Sequence, residues 1–388
     1  MLRILLVNYE YPPLGGGGGL VSAWLAEELA KRHQVVVLTS RAFDLPQREV
    51  AGGVEIIRSR TLFRKQTAVA NLPSMAAFVL GGLWSGRRLI KSRTFDVINT
   101  HFAVPTGPLG AKLSRVAGIP NVLSVHGGDL YDPSKWTSPH RHAVLRKVVR
   151  RVVHAADAVV GQSRNTIENL LRYYGSRTEP ELIPLGIPRP PMPVTGRAEL
   201  GLPADAVVMI AIGRLVARKG TDQLVRMVGR LANERVRLVI LGDGPELIPL
   251  QQQALELGIS DQVLFPGFVT DQQKIDFLAA SDLYASTSQH EGFGLVFLEA
   301  MAQGLPVICY DHGGQTDFLK DGVNGAVVPL NDLDRFTAAA SDLVTDVARR
   351  KAISERNKAD VERLYIENCA SRYEALFYKV TGVPIEPL

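Results

Sequence analysis

Five prolines within residues 184–193 (PLGIPRPPMP) constrain this chain more than any other feature. Proline fixes φ and removes an amide donor, so the segment is neither helix nor central strand. On both sides of it, short runs rich in Val, Ile and Leu alternate with longer helix-like stretches. Before it the runs are 4–8, 35–39, 54–58, 97–100, 121–126, 158–162 and 181–184; after it they are 207–213, 237–241, 263–265, 283–286, 306–310 and 325–328. Helical patterns fill intervals such as 20–31, 141–154, 222–233 and 272–280, and dominate from 332 to 380. Runs that are apolar throughout, rather than alternating, predict parallel strands covered on both faces. The expectation is an α/β chain of two doubly wound domains, residues 1–186 and 187–364, with the proline segment between them. A length of 388 residues agrees, at ~100–200 residues per domain. Open parallel sheets bind ligands beyond the carboxyl ends of their strands, so strand-end residues are the place to look for chemistry.

Composition excludes several classes. With 46% hydrophobic and 21% charged residues the chain can bury two cores and is not disordered. Cys309 and Cys369, far apart, build neither a disulfide framework nor a cysteine zinc site, which points to a cytoplasmic protein. Residues 1–9 read as a strand rather than a signal peptide. The longest apolar stretch, residues 75–86, falls short of the ~20 residues a spanning helix needs and is expected to be a buried helix. Charge divides unevenly. Residues 1–186 hold 24 basic and 13 acidic side chains, a net +11, and the remainder is net −6. A basic first half implies an anionic partner. Nucleic acid is a poor one, because no recognition motif or aromatic platform accompanies the charge.

Four constellations sit where strands end. The first strand runs into residues 15–19, five consecutive glycines, among which Gly16, Gly17 and Gly18 would let a ligand approach main-chain N–H groups closely. The spacing matches neither a P-loop nor the dinucleotide fingerprint. Arg214 and Lys219 (in GRLVARKG) follow the first strand after the proline segment. A planar fork and a point charge placed there suit a diphosphate. Residues 290–302 (HEGFGLVFLEAMA) combine Glu291 in a glycine turn, an apolar helix whose first-turn N–H groups form an anion site, and Glu299 inside that helix. A carboxylate beside a phosphate site requires nearby cations, and Arg214 with Lys219 supply them. Finally His126, followed by Gly127, Gly128 and Asp129, ends the strand of residues 121–126. Asp129 either orients His126 or binds the acceptor. The eight scattered histidines and the lack of a His-Glu-x-x-His pattern argue against a metal.

Taken together, these residues resemble the retaining glycosyltransferases of the GT-B fold, family 4 (glycosyl transferases group 1). The carriers are the glycine loop, the His126 strand end, the Arg214/Lys219 pair and Glu291-x7-Glu299, with Gly242-Asp243-Gly244-Pro245 and Pro266-Gly267-Phe268 in supporting places. The likeness spans nearly the whole chain. It implies two Rossmann-like doubly wound domains facing across a cleft, the first on the acceptor side and the second binding a nucleotide sugar. It also implies a C-terminal helix, residues 365–388, returning to the first domain. By the same resemblance Arg214 and Lys219 hold the diphosphate, and Glu291 with the backbone of Gly292, Phe293, Gly294 and Leu295 holds the donor sugar. Glu299 holds the ribose, Gly267 lies near the base, and His126 meets the donor sugar near the reacting carbon.

The expected reaction is retaining, metal-independent and cofactor-free transfer of a hexose or N-acetylhexosamine. UDP-sugars rank ahead of GDP-mannose as donors, and the acceptor is a glycan, a glycolipid or a small molecule. The alternatives are a GT-B epimerase acting on a nucleotide sugar and a non-catalytic basic protein that binds nucleic acid. Residues 141–154 read as a basic amphipathic helix, so a peripheral contact with the anionic inner face of a membrane is also expected.

Overall fold

In the computed structural model, residues 1–67 and 70–384 are described. The chain divides into two compact units, Met1–Pro188 with Tyr365–Leu388, and Arg189–Leu364. Residues 385–388, the end of the expected C-terminal helix segment, lie outside the described residues.

The first unit is built on one eight-stranded sheet. Its strands are β1 (Arg3–Val7), β2 (Gln34–Arg41), β3 (Arg48–Ala51), β4 (Val54–Arg60), β5 (Val97–His101), β6 (Asn121–Val125), β7 (Ala158–Gly161) and β8 (Glu181–Leu182). They lie in the order β3-β4-β2-β1-β5-β6-β7-β8, all parallel except β3 against β4. Helices α1 (Gly17–Ala30), α2 (Leu72–Ser92), α3 (Gly107–Ala117), α4 (Ala143–Ala155) and α5 (Arg164–Tyr173) connect them. Strand β1 shows why its sequence is apolar throughout. Ile4 and Leu6 enter one core with Leu25 and Leu29 of α1, and Leu5 and Val7 enter another with Phe78 of α2 and Leu109 of α3. Burial on both faces removes the alternation a half-exposed strand would show.

The second unit has six parallel strands: β9 (Val207–Ile212), β10 (Val236–Leu241), β11 (Val263–Gly267), β12 (Leu283–Ser286), β13 (Val307–Tyr310) and β14 (Gly325–Val328). Their order is β11-β10-β9-β12-β13-β14, with strand order reversing between β9 and β12. Around them lie α6 (Thr221–Leu231), α7 (Leu247–Glu256), α8 (Asp271–Ala279), α9 (Leu295–Ala302), α10 (Leu333–Thr345) and α11 (Val347–Val361). The last helix, α12 (Ile366–Thr381), belongs to the first unit, where Tyr373, Leu376 and Phe377 join the core of Ile4 and Leu6. Glu374 fixes it further, accepting from Arg32 Nη2 at 2.9 Å and pairing with His33 Nε2 at 2.7 Å.

Two expectations need correction. Residues 75–86 belong to a helix that is only half buried. Phe78, Gly82, Gly86 and Leu89 pack inward, while Leu80 and Trp84, on the opposite face, are 73% and 66% exposed. A helix lying on a sheet buries one stripe, and here Leu80 and Trp84 on the outer stripe are apolar too. Strand β3 was not expected. It forms a hairpin with β4 through Gly52 and Gly53, at φ 56° and 77°, the conformation that a two-residue turn demands and Gly-Gly supplies. No helix of the described residues is long and apolar enough to cross a membrane.

Candidate active site

In the second unit, Arg214 stands exposed just past the end of β9, and Lys219 closes a short 3-10 turn, Ala217–Lys219. The two line one small hollow with Gly213, Thr221, Ser286 and Thr287. Lys219 Nζ also donates to Glu291 Oε1, joining the loop after β9 to the loop after β12. Burial pushes the Glu291 carboxyl up, but Lys219, helped by Arg218, outweighs it and holds the group below its ordinary range. Glu291 is thus ionised and fixed, with its main chain anchored by Gly314 N–H at 2.9 Å.

After Glu291 the chain passes Gly292 and Phe293 into Gly294, whose φ of 93° makes it the turn residue before α9. A β-carbon at Gly294 would strike the Phe297 ring, so the position requires glycine twice over. Phe293 is buried against Phe318, with ring centres 5.1 Å apart, so only its main chain can meet a ligand. No side chain caps α9, and its first-turn N–H groups, beginning at Leu295, offer partners for an anion.

Glu299 lies one turn further on. Lys274 of α8 donates to its Oε1 at 2.7 Å, while the buried Oε2 has no hydrogen-bond partner among the described residues. Burial raises the Glu299 pKa despite the pull of Lys274. A buried acceptor held ready by a lysine suits a ligand hydroxyl. Lys274 was not anticipated from sequence, because one lysine among the glutamines of α8 carries no signal that it turns inward. Gly267 ends β11 at φ 79°, with open space where a β-carbon would stand, and Phe268 beside it is 89% exposed.

The glycine loop and His126 come together in the first unit. Only Gly15, at φ 105°, needs the left-handed region; Gly17 and Gly18 already belong to the first turn of α1, and Gly16 precedes it. Gly18 is required for space, since a β-carbon there would collide with Cζ of Phe102. The Phe102 ring in turn lies 4.4 Å from the His126 ring, and Phe102 itself is held at φ 70°, a costly conformation for a non-glycine residue. Asp129 holds the loop after β6. Its Oδ1 accepts from His126 N–H at 2.9 Å and its Oδ2 from Ala103 N–H at 2.6 Å. Burial pushes the Asp129 pKa up to about 6, against those two hydrogen bonds. Burial also lowers His126 to about 4, so its imidazole is neutral at pH 7. Asp129 therefore supports the main chain of His126. Phe102 and His101, the other ring in contact with His126, were not singled out by sequence.

Two family models match the chain: Glycosyltransferase Family 4 over residues 15–189 and Glycosyl transferases group 1 over residues 195–360. The chain belongs to the GT-B glycosyltransferases of family 4. Among relatives of this transferase, a GDP-mannose-dependent alpha-(1-6)-phosphatidylinositol monomannoside mannosyltransferase of Mycolicibacterium smegmatis is 28% identical over 90% of the chain and 91% of its own length. A D-inositol 3-phosphate glycosyltransferase of Xylanimonas cellulosilytica is 27% identical over 98% of the chain and 96% of its own length. Among solved structures, a sucrose-phosphate synthase of Thermosynechococcus elongatus covers 99% of the chain at a TM-score of 0.85, with all of its own chain matched. At 22% identity that likeness speaks to the fold alone.

The glycine loop of this transferase yields a paired prediction. Gly18→Ala should destabilise the first unit by about 1–3 kcal/mol, because overpacking against Phe102 exceeds the gain from placing alanine in a helix. Gly16→Ala, whose β-carbon meets nothing within 4 Å, should be nearly neutral. Chemical denaturation of both variants checks this, and equal midpoints would contradict the steric role of Gly18.

Proposed function

We propose that this glycosyltransferase moves a hexose from a nucleoside-diphosphate sugar with retention, without a metal, onto a phosphate-bearing or lipid-linked acceptor. The observation that carries the donor half is the hollow at the ends of β9 and β12 that Arg214 and Lys219 line, with Lys219 bound to Glu291 in the loop that leads into the uncapped α9. As the glycosidic bond breaks, charge develops on the departing diphosphate, and two fixed cations with helix N–H groups can stabilise it where other transferases use Mg²⁺. Glu291 and Glu299 then take the roles of hydroxyl acceptors, for the sugar and the ribose respectively. Same-face attack needs no nucleophile from the protein, and each carboxylate is already paired with a lysine. The departing phosphate oxygen takes the acceptor's proton, and attack comes from the face it leaves, so the protein contributes positioning and electrostatics.

Relatives whose printed names include a donor give GDP-mannose, which moves it ahead of the UDP-sugars that sequence alone ranked first. The acceptors in those names, a phosphatidylinositol mannoside and D-inositol 3-phosphate, both carry phosphate and agree with a basic first half. Within that half, the Val149, Val152 and Val153 stripe of α4 is buried, so α4 does not present its apolar face to a bilayer. The outer face of α2 is the better membrane contact. Leu80 and Trp84 are exposed there, followed by Arg87, Arg88 and Lys91, a combination suited to an anionic lipid surface.

Two outcomes are expected. With GDP-mannose and UDP-hexoses assayed in parallel in excess EDTA, the wild type keeps its rate, while Arg214→Ala and Lys219→Ala each lose at least ~10²-fold in kcat/KM, the scale of one lost oxyanion-type partner. Near-normal rates in both variants, or a wild type silenced by EDTA and restored by Mg²⁺, would overturn the donor reading. Vesicles containing phosphatidylglycerol should co-sediment the protein at low salt better than neutral vesicles do, and Leu80→Ser with Trp84→Ser should abolish the difference. Equal sedimentation with both vesicle types would leave a soluble acceptor.

A further inference from the structure

Beneath His126 a chain of buried polar groups runs inward through the sheet to α12. Its members are His126, His101, Asn99, Ser124 and Tyr373, and every one but His126 is at most 2% exposed. Each proton in the chain can be placed by elimination. Asn99 Nδ2 lies 3.1 Å from Val122 O, a group that only accepts, and 3.0 Å from Ser124 Oγ, so the amide nitrogen faces that way. Asn99 Oδ1 must then face His101 Nε2, 2.8 Å away, and an acceptor there requires a proton on that nitrogen. Burial and the neighbouring His126 hold His101 well below its ordinary pKa, so the ring is neutral and its Nδ1 carries a bare lone pair.

Two groups approach that lone pair. Ser22 Oγ, at 3.2 Å, already donates to Gly18 O at 2.8 Å and accepts from Asn8 Nδ2 at 2.8 Å, so its single proton is committed. His126 Nε2 is the other, at 3.0 Å. Two bare ring nitrogens at that separation would repel, so His126 Nε2 must hold the proton. Since His126 is neutral, its Nδ1 is left as an acceptor. Tyr373 closes the far end of the chain, its hydroxyl 2.9 Å from Ser124 Oγ and its ring stacked with His101.

We propose that His101 is a positioning residue that fixes His126 as the Nε2–H tautomer, leaving Nδ1 as a hydrogen-bond acceptor for ligand. Resting on the reading above that His126 meets the donor sugar, this assigns the donor a hydroxyl at that position. A sugar hydroxyl close to the reacting carbon can donate to that lone pair.

The test has a spectroscopic and a kinetic arm. Long-range ¹H–¹⁵N correlation spectra of the full-length ligand-free protein, with His126 assigned by its loss in His126→Gln, should show the proton on Nε2. His101→Leu, which removes the acceptor, should give a mixture of tautomers, whereas His101→Asn, whose Oδ1 stands close to the place of Nδ1, should keep the wild-type pattern. A proton on Nδ1 in the wild type, or an unchanged tautomer in His101→Leu, overturns the proposal. Should His101→Leu fail to fold, the wild-type spectrum still decides it. In kinetics, His101→Leu should lose roughly tenfold in kcat/KM and His101→Asn no more than about threefold, and in a His126→Ala background His101→Leu should add nothing further. An equal loss in both backgrounds overturns the route through His126. Wild-type activity in His126→Ala would instead overturn the donor-facing reading while the tautomer result stood, so the two failures are distinguishable.

Discussion

Carboxylates buried at the edge of a parallel sheet require cations of their own. The second unit meets this with two lysines, Lys219 on Glu291 and Lys274 on Glu299. Burying either carboxylate alone would cost several kcal/mol. Each lysine comes from a different element, the turn after β9 and helix α8, so these two pairs also set the positions of the loops that carry them. The rest of the donor side follows from them. Glu291 is held ionised by Lys219, which ties the loop leading through Gly294 into α9 to the turn after β9.

The first unit solves a different problem with steric means. A neutral histidine at the end of β6 must be held without an ion pair to its ring, and several restraints act on it. Asp129 fixes its amide, Phe102 covers one side of its ring, and His101 sits at its Nε2. The glycine loop serves this arrangement, because Gly18 yields the space that Phe102 fills. A loop that reads as backbone reserved for a ligand is thus also a recess for an aromatic ring.

Much of the fold was legible in the sequence because strands buried on both faces need continuous runs such as RILLV and VVMIAI, and these stand out between helices. Strand β3 was missed since REVA carries one large apolar side chain, although the Gly-Gly pair after it signalled a hairpin. The strand-end positions of Arg214, Glu291 and His126 were legible from the order of elements. Their neighbours were not. His101 meets His126 only because β5 pairs with β6 in the register His101 to Ser124, and no local pattern encodes a register. Lys274 reads as an exposed helix residue until α8 is placed against α9. Leu80 and Trp84 on the outer stripe of α2 are apolar where solvent would favour charge, so hydrophobicity alone predicted burial that packing does not provide.

The central claim is that the transferase works through positioned charge, with both carboxylates of the donor side engaged by lysines and the leaving phosphate itself serving as base. Departure and attack then occur on one face of the sugar. The most direct test is the anomeric configuration of the first-formed product, read from the coupling of its anomeric proton by NMR during turnover of a donor of known configuration. The account predicts that the product keeps the donor's configuration. An inverted product would contradict it, because inversion needs a base on the opposite face, and the account assigns no group to that role.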